Sequence, residues 1–184
     1  MYRAIAWLAI NRGVDMEDES SLVNLCTSTT ITIGEPGDQV FVNGTLAPLE
    51  DYREEIEKTV SLVARIPEVR QAMVAQQRKL SEASKMVIVG RDIGTVVVPE
   101  APLKLYFVAQ SKERAQRRFL ELKAQGYDIS LKSVLSSISN RDKMDSERTH
   151  SPLQPADDAI IIDTEGLTVR QVEDRIFKLI ESRS

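Results

Sequence analysis

Three short apolar runs in the second half of the chain limit its fold most strongly. They are residues 86–89 (MVIV), 103–109 (LKLYFVA) and 159–162 (AIII). Each run has the length of a strand, and helical patterns at 111–125 and 130–148 separate the last two. Apolar runs that alternate with helices are typical of parallel strands buried on both faces of a sheet. The pattern therefore predicts an α/β fold.

The first half of the chain contains a segment of different character. Residues 30–33 (TITI) alternate polar and apolar side chains, residues 34–37 (GEPG) form a turn sequence, and residues 39–42 (QVFV) resume the apolar pattern. Asn43-Gly44 signals a second tight turn. Two alternating runs around a Gly/Pro turn predict a small antiparallel β insert.

The remaining segments have helical periodicity. We expect helices near residues 1–13, 15–25 and 49–64 and after Pro67, a residue suited to the first turn of a helix. The last helix begins with a plausible capping box, Thr168 and Gln171, and we expect it to bury Val172, Ile176, Leu179 and Ile180.

Composition excludes several classes of function. The net charge of −4 argues against a general nucleic-acid binder, which would carry a broad basic face. The single cysteine, Cys26, cannot form a disulfide within the chain, and we expect a reduced cytoplasmic setting. One Cys and one His do not supply a zinc site. No apolar run is long enough to cross a bilayer, so we expect no membrane partner.

The segment Gly90-Arg91-Asp92-Ile93-Gly94-Thr95 directly follows the apolar run at 86–89. Ligands of open α/β sheets bind beyond the carboxyl ends of the strands, which is where this segment lies in the predicted fold. Two glycines permit a tight turn, and a permanent cation stands beside an anion. An exposed Arg–Asp pair on a glycine-rich turn explains the spacing equally well.

Two further clusters are basic. Arg141, Asp145 and Arg148 stand at i, i+4 and i+7, so they share one face of a helix. A second helix carries three closely spaced arginines, Arg114, Arg117 and Arg118. A solvated face with salt bridges is the common explanation of either pattern.

Taken together, these segments resemble the cytidylate kinases, a branch of the nucleoside-monophosphate kinases. The matching segments run in the family's order: residues 1–4 (MYRA), 61–70 (SLVARIPEVR), 90–99 (GRDIGTVVVP), Arg141-Asp142 through Asp145 to Arg148, 151–153 (SPL), 155–159 (PADDA) and 162–164 (IDT). The resemblance implies a P-loop-kinase type of parallel sheet flanked by helices, with a small antiparallel β insert. It also implies transfer of the ATP γ-phosphoryl group to CMP or dCMP, with Mg²⁺ accompanying ATP.

The resemblance also implies roles for individual residues. Ser61, Arg70 and Asp92 match residues that read the cytosine ring, and Arg141 and Asp145 match residues that hold the ribose hydroxyls. The CMP phosphate would be gripped by Arg3, Arg91 and Arg148. Arginine suits this role because its planar fork pairs with phosphate oxygens and stays charged. The lid that closes over ATP would include Arg114, Arg117 and Arg118. Arg117, Arg91 and Arg148 are the candidate catalytic arginines.

The same resemblance divides the chain. Residues 1–27 would begin the core and the CMP-binding helices, 28–48 would be the family's β insert, and 49–85 would complete those helices. Residues 86–184 would be the core, with the lid at about 111–150. We expect a monomer whose partners are CMP or dCMP and ATP, and no nucleic acid.

Members of this family begin with a strand and a Gly-x-x-x-x-Gly-Lys-Ser/Thr loop, which precede the Tyr-Arg pair. No glycine of this chain precedes a lysine, and the family's front part would take roughly 35 residues. We therefore expect the sheet to lack its first strand and the ATP-phosphate loop. Three interpretations stay open: Met1 is an internal methionine of a complete kinase, the chain is a CMP-binding protein without catalysis, or it is a vestigial fragment.

Two positions depart from the family's pattern. Val89 stands where many relatives have an acidic residue before Gly-Arg-Asp. His150 stands where small apolar residues are usual, and we interpret it as an incidental surface histidine.

Overall fold

A computed structural model describes residues 1–34, 39–83, 86–147 and 153–182. Its architecture is mixed α/β. The described part holds an antiparallel sheet of three strands, a parallel sheet of two strands, several α-helices and one short π-helix. The chain divides into two compact units. The first contains residues 1–89 and 96–98, and the second contains residues 90–95 and 99–184.

The first unit is mostly helical. It comprises α1 (Tyr2–Asn11), α2 (Glu19–Thr27), α3 (Arg53–Arg65), α4 (Pro67–Ala83) and the strands β1 (Ile31–Ile33), β2 (Val40–Val42) and β3 (Thr45–Leu46). Its core is built from the apolar faces of all four helices, for example Ile5, Leu22, Ile56 and Met73, each fully buried. The predicted helices are therefore confirmed, with shifts of a few residues at their ends.

The β insert is confirmed as an antiparallel sheet in the order β1-β2-β3. Ile31 lies opposite Val42, and Phe41 lies opposite Leu46. The turn between β2 and β3 is Asn43-Gly44, and both residues have positive φ, at 51° and 81°. A two-residue hairpin turn of this hand needs positive φ, which explains the Asn-Gly pair. The predicted turn at 34–37 lies mostly outside the described residues.

The second unit contains the π-helix (Ile93–Val97) in part, followed by β4 (Leu105–Val108), α5 (Ser111–Ala124), α6 (Leu131–Ser146), β5 (Ile160–Asp163) and α7 (Val169–Glu181). Strands β4 and β5 are parallel, with Leu105 opposite Ile160 and Val108 opposite Asp163. Two of the three predicted parallel strands are thus confirmed. The predicted capping box of α7 is confirmed at Thr168 and Gln171. At the start of α6 the Ser130 side chain accepts from the Ser133 amide, a cap that was not predicted.

The prediction of a third parallel strand at residues 86–89 was wrong. The described backbone there is not a strand, and Val87 and Val89 are both 92% exposed. A strand needs a partner for its backbone hydrogen bonds, and within the described residues β4 pairs only with β5. An apolar run without a neighbouring strand therefore stays irregular.

The predicted burial on α7 was also wrong. Val172, Ile176 and Leu179 are only half-buried, and Ile180 is 42% exposed. A helix with its side chains is about 10 Å wide, whereas two neighbouring strands lie about 5 Å apart. The sheet of β4 and β5 is thus too narrow to cover the apolar face of a whole helix.

Candidate functional site

The first unit carries the candidate residues Arg3, Ser61 and Arg70. Arg70, near the start of α4, is only 5% exposed. Its Nη1 donates to the carbonyl of Ala64 at 3.2 Å, and its guanidinium lies over the Tyr2 ring at 5.5 Å from the ring centre. A buried guanidinium is stabilised by such a carbonyl and by the electron-rich face of an aromatic ring. The helix therefore holds this arginine in one orientation.

Arg3 and Ser61 are placed on neighbouring helices. Arg3 lies on α1, and its Nη2 is 3.5 Å from a carboxylate oxygen of Glu50. Ser61 lies on α3 and is half-buried. At 3.5 Å and with half-exposed partners, the Arg3–Glu50 ion pair contributes little to stability. Arg3 can therefore exchange Glu50 for another anion at small cost.

In the second unit, the loop Gly90–Asp92 leads into the π-helix. Asp92 is 5% exposed and directly precedes this helix. Neither Gly90 nor Gly94 has positive φ, so a left-handed turn does not explain these glycines. Space is limited at both positions: a Cβ at Gly90 would lie 2.8 Å from Cδ1 of Ile93, and one at Gly94 would lie 3.1 Å from Cδ of Lys104. Short π-helical segments are frequent at functional sites.

Arg91 and Asp145 form the centre of the second unit's charged cluster. Nε of Arg91 lies 3.1 Å from Oδ2 of Asp145, and the Asp145 side chain is 2% exposed. Nε of Arg141, one turn earlier on α6, lies 3.9 Å from the same oxygen. The prediction that Arg141 and Asp145 share one face of a helix is thus confirmed, and Arg91 contacts the same carboxylate from the loop. Arg148, the third member of the predicted cluster, lies outside the described residues.

This arrangement suits an anionic ligand. The buried carboxylate compensates part of the charge of two arginines and orients the one at 3.1 Å. The Arg91 side chain is 36% exposed, so part of its guanidinium faces solvent. An arginine oriented in this way binds phosphate oxygens with little loss of side-chain entropy.

The three arginines of α5 have different partners. Arg114 is tied to α6 by a bidentate pair with Asp142, at 3.1 Å and 2.6 Å, and it also donates to the Ala109 carbonyl and the Ser111 hydroxyl. The hydrogen-bonded Asp142 carboxylate raises the pKa of Arg114. Arg118 pairs with Glu121 at 2.8 Å. Of the predicted lid arginines, Arg114 therefore connects α5 to α6, whereas Arg118 pairs within α5.

Arg117 faces a cavity of about 430 Å³ beside β4 and β5, lined also by Val108, Thr164 and Leu167. Its Nη1 donates to the Thr164 hydroxyl at 3.2 Å, and Nη2 donates to the Thr164 carbonyl and to Glu113. This cavity is open and largely apolar, and its charged lining residues are Arg114, Arg117 and Glu173. Arg114 lines the same cavity, so two of the three α5 arginines face this concave surface.

Sequence reasoning did not assign a role to Asp142 or Thr164. Asp142 is 28 residues from its partner Arg114, and Thr164 is 47 residues from Arg117, so no local spacing indicates either contact. The Glu113–Arg117 pair could have been found, because its i,i+4 spacing is typical of helix ion pairs.

The described residues do not provide a metal site. No group of three or more His, Cys, Asp or Glu side chains among them is arranged to hold a metal ion. Mg²⁺ that arrives with a nucleotide is usually held by one or two carboxylates together with phosphate oxygens and water, so this finding concerns only sites built from three or more such side chains. Among the same residues, no helix has both the length and the apolar character needed to span a bilayer.

Comparison with known proteins gives one consistent result. The family model described as cytidylate kinase matches residues 1–182. The cytidylate kinase of Bacillus subtilis (strain 168) is 41% identical over 186 residues, which cover 100% of this chain and 83% of that protein. The cytidylate kinase of Exiguobacterium sibiricum is 46% identical over 183 residues, covering 98% of this chain and 82% of that protein. A bifunctional pantoate ligase/cytidylate kinase of Synechococcus sp. is 43% identical over 184 residues, covering 97% of this chain and 34% of that protein.

Proposed function

The chain belongs to the cytidylate kinase family, and we propose that it binds CMP as the acceptor for the γ-phosphoryl group of ATP. The observation that carries this proposal is the Arg91–Asp145 pair, in which a buried carboxylate orients a half-exposed guanidinium. The two cytidylate kinases of Bacillus subtilis and Exiguobacterium sibiricum match this chain over nearly its whole length. Phosphoryl transfer relies mainly on positioning and on stabilising negative charge, which arginines supply.

The second unit would bind the phosphate and ribose of CMP. Arg91 would donate to the phosphate oxygens, and we expect Arg148 and Arg3 to add further positive charge. Arg141 and Asp145 would hold the ribose hydroxyls. Because Asp145 is nearly inaccessible beside Arg91, its contact with a ribose would require Arg91 to move toward the phosphate.

The base would be recognised by Ser61, Arg70 and Asp92. Cytosine presents an amino donor at N4, whereas uracil presents a carbonyl acceptor at the same place. The buried carboxylate of Asp92 can accept a hydrogen bond from that amino group and repels a carbonyl oxygen. A site built to pair with one hydrogen-bonding pattern rejects the other strongly, because buried polar groups would stay unpaired.

The ATP side would use Arg117, with Arg114 and Arg118 as further candidates in a lid formed by α5 and α6. Arg117 suits this role because it lines the open cavity beside β5. Mg²⁺ would accompany ATP and neutralise part of the charge of its phosphates.

The 184 residues contain no Gly-x-x-x-x-Gly-Lys sequence, the loop that cradles the ATP phosphates. We therefore propose that these 184 residues bind CMP but do not by themselves transfer phosphate. An intact-mass measurement on the protein from its own cells decides whether a phosphate loop belongs to the same polypeptide.

Calorimetric titration of the 184-residue chain with CMP, UMP and AMP tests the proposal. We expect CMP to bind most tightly, and Asp92→Asn to reduce the preference for CMP over UMP by about tenfold or more. Glu57→Gln, an exposed change on α3, is the matched control and leaves the preference unchanged. Equal affinity for the three nucleotides, or CMP-dependent ADP formation by this chain alone, would contradict the proposal.

A further inference from the structure

Helix α4 carries a second arginine with a specific structural contact. Arg78 lies eight residues after Arg70 on the same helix. Its Nε donates to the carbonyl of Val97 at 3.0 Å, and its Nη2 donates to the carbonyl of Val96 at 2.6 Å. The planar fork of the guanidinium thus spans two successive backbone carbonyls.

These carbonyls belong to the end of the π-helix Ile93–Val97. The last carbonyls of any helix have no partner within the helix, and a cation near that end is stabilising. Val97 itself is 1% exposed and packs within the first unit, together with Val96 and Val98. The two hydrogen bonds therefore fix one end of the π-helix to α4.

The other end of the π-helix directly follows the Arg91-Asp92 pair. Asp92 is four residues before Val96, and the Thr95 hydroxyl approaches the Asp92 carbonyl at 3.4 Å. Because Asp92 and Val96 are about one helical turn apart in a continuous backbone, we expect a displacement at Val96 to alter the backbone at Asp92. We therefore expect the direction of the Asp92 carboxylate to depend on where the π-helix is anchored.

We propose that Arg78 is a positioning residue that sets the Arg91-Asp92 loop for recognition of a cytosine nucleotide. The identity of the nucleotide rests on the proposed function, whereas the contact of Arg78 with the Val96 and Val97 carbonyls does not depend on that function. Arg78 would not touch the nucleotide. A shift of about 1 Å in a binding group is enough to lower its effectiveness by up to about a hundredfold.

The first test measures the loop directly. Hydrogen exchange is followed by mass spectrometry on peptides covering residues 90–98 in the wild type, Arg78→Met, Arg78→Lys and Lys79→Met. We expect these amides to exchange about tenfold faster in Arg78→Met and at an intermediate rate in Arg78→Lys, because a lysine replaces one of two donors. Lys79→Met is the matched control, since it is the neighbouring exposed cation on the same helix.

The second test measures the ratio of CMP to UMP affinity by calorimetry. A general loss of stability lowers both affinities together, whereas a misplaced Asp92 lowers the ratio. We expect Arg78→Met to reduce the ratio about tenfold and methylguanidinium in the buffer to restore part of it. Fluorescence of Trp7, which lies in the core of the first unit, verifies that each variant is folded.

The outcomes separate the two proposals. If the wild type shows no preference for CMP, the proposed function fails, and the exchange experiment still decides whether Arg78 holds the loop. If the wild type prefers CMP but Arg78→Met keeps both the preference and slow exchange at 90–98, the inference about Arg78 is overturned. In that case water replaces the guanidinium at the two carbonyls without consequence.

Discussion

The ion pair between Arg91 and Asp145 gives a prediction whose size follows from the structure. Asp145→Asn keeps the shape of the side chain and removes its charge, and Arg91→Gln and Arg141→Gln each remove one cation. The double variants complete two mutant cycles that share Asp145. The cycles isolate the coupling between the carboxylate and each arginine from the effect of either substitution alone.

The two couplings should differ. At 3.1 Å, Coulomb's law gives about 1.3 kcal/mol in water and about 5 kcal/mol at an effective dielectric constant of about 20. The Arg91 side chain is 36% exposed, and burying Asp145 has its own desolvation cost, so we expect a net coupling of about 1.5 kcal/mol. Arg141 is more distant, at 3.9 Å, and 47% exposed, so we expect about 0.5 kcal/mol or less.

Hydrogen exchange of α6 is the suitable assay, because it reports the local opening free energy without assuming that both units unfold together. Lys143→Gln supplies the matched control, since Lys143 lies on the same helix and pairs instead with the exposed Glu147 at 4.0 Å. Its coupling to Asp145 should be near zero. Equal couplings for Arg91 and Arg141, or no coupling for Arg91, would show that Asp145 does not orient Arg91.

Two further predictions concern the first unit. Ile56 is fully buried on α3, so Ile56→Val should lower the free energy of unfolding by about 1 kcal/mol and Ile56→Ala by about 2–5 kcal/mol. Urea titration followed by Trp7 fluorescence measures both values. An equal effect of the two substitutions would contradict close packing at this site. Burial raises the pKa of the Cys26 thiol to about 11, from an ordinary value of 9.0. Between pH 9 and pH 11 the unfolded chain has lost the thiol proton and the folded chain has kept it. The free energy of unfolding should therefore be constant below pH 9, as far as this thiol is concerned, and should fall as the pH rises to 11. Urea titrations across that window check this, and Cys26→Ala should have a shallower dependence on pH.

Local patterns in the sequence predicted the elements that local chemistry determines. The Asn43-Gly44 turn, the capping box at Thr168 and Gln171, and the i,i+4 face of Arg141 and Asp145 are all present. Each depends on residues within four positions of one another. Backbone geometry and side-chain reach are sufficient to determine such features.

The failures concern features that depend on distant neighbours. The run at 86–89 is as apolar as β5, yet only β5 has a strand beside it in the described structure. The apolar residues of α7 likewise share one face of the helix as predicted, but the narrow sheet covers that face only in part. Periodicity indicates which face can be buried, but the presence of a covering partner is a tertiary property. The Arg114–Asp142 contact, across 28 residues, belongs to the same class.

Helix α4 shows how the first unit can hold candidate residues without a large sheet. Arg70 is fixed at its start by the Ala64 carbonyl. In its middle, Gln76 donates to the Thr29 carbonyl at 2.8 Å and accepts from the Ile31 amide at 3.2 Å, so its amide group binds the beginning of β1 as a neighbouring strand would. Arg78 then binds the carbonyls of Val96 and Val97. One helix thus sets the position of a buried guanidinium, the β insert and the end of the π-helix, and a rotation of α4 would move all three together. A substitution of Gln76 that leaves the helix in place should disturb only the β insert, and a substitution of Arg78 should disturb only the end of the π-helix. The two side chains can therefore be tested separately.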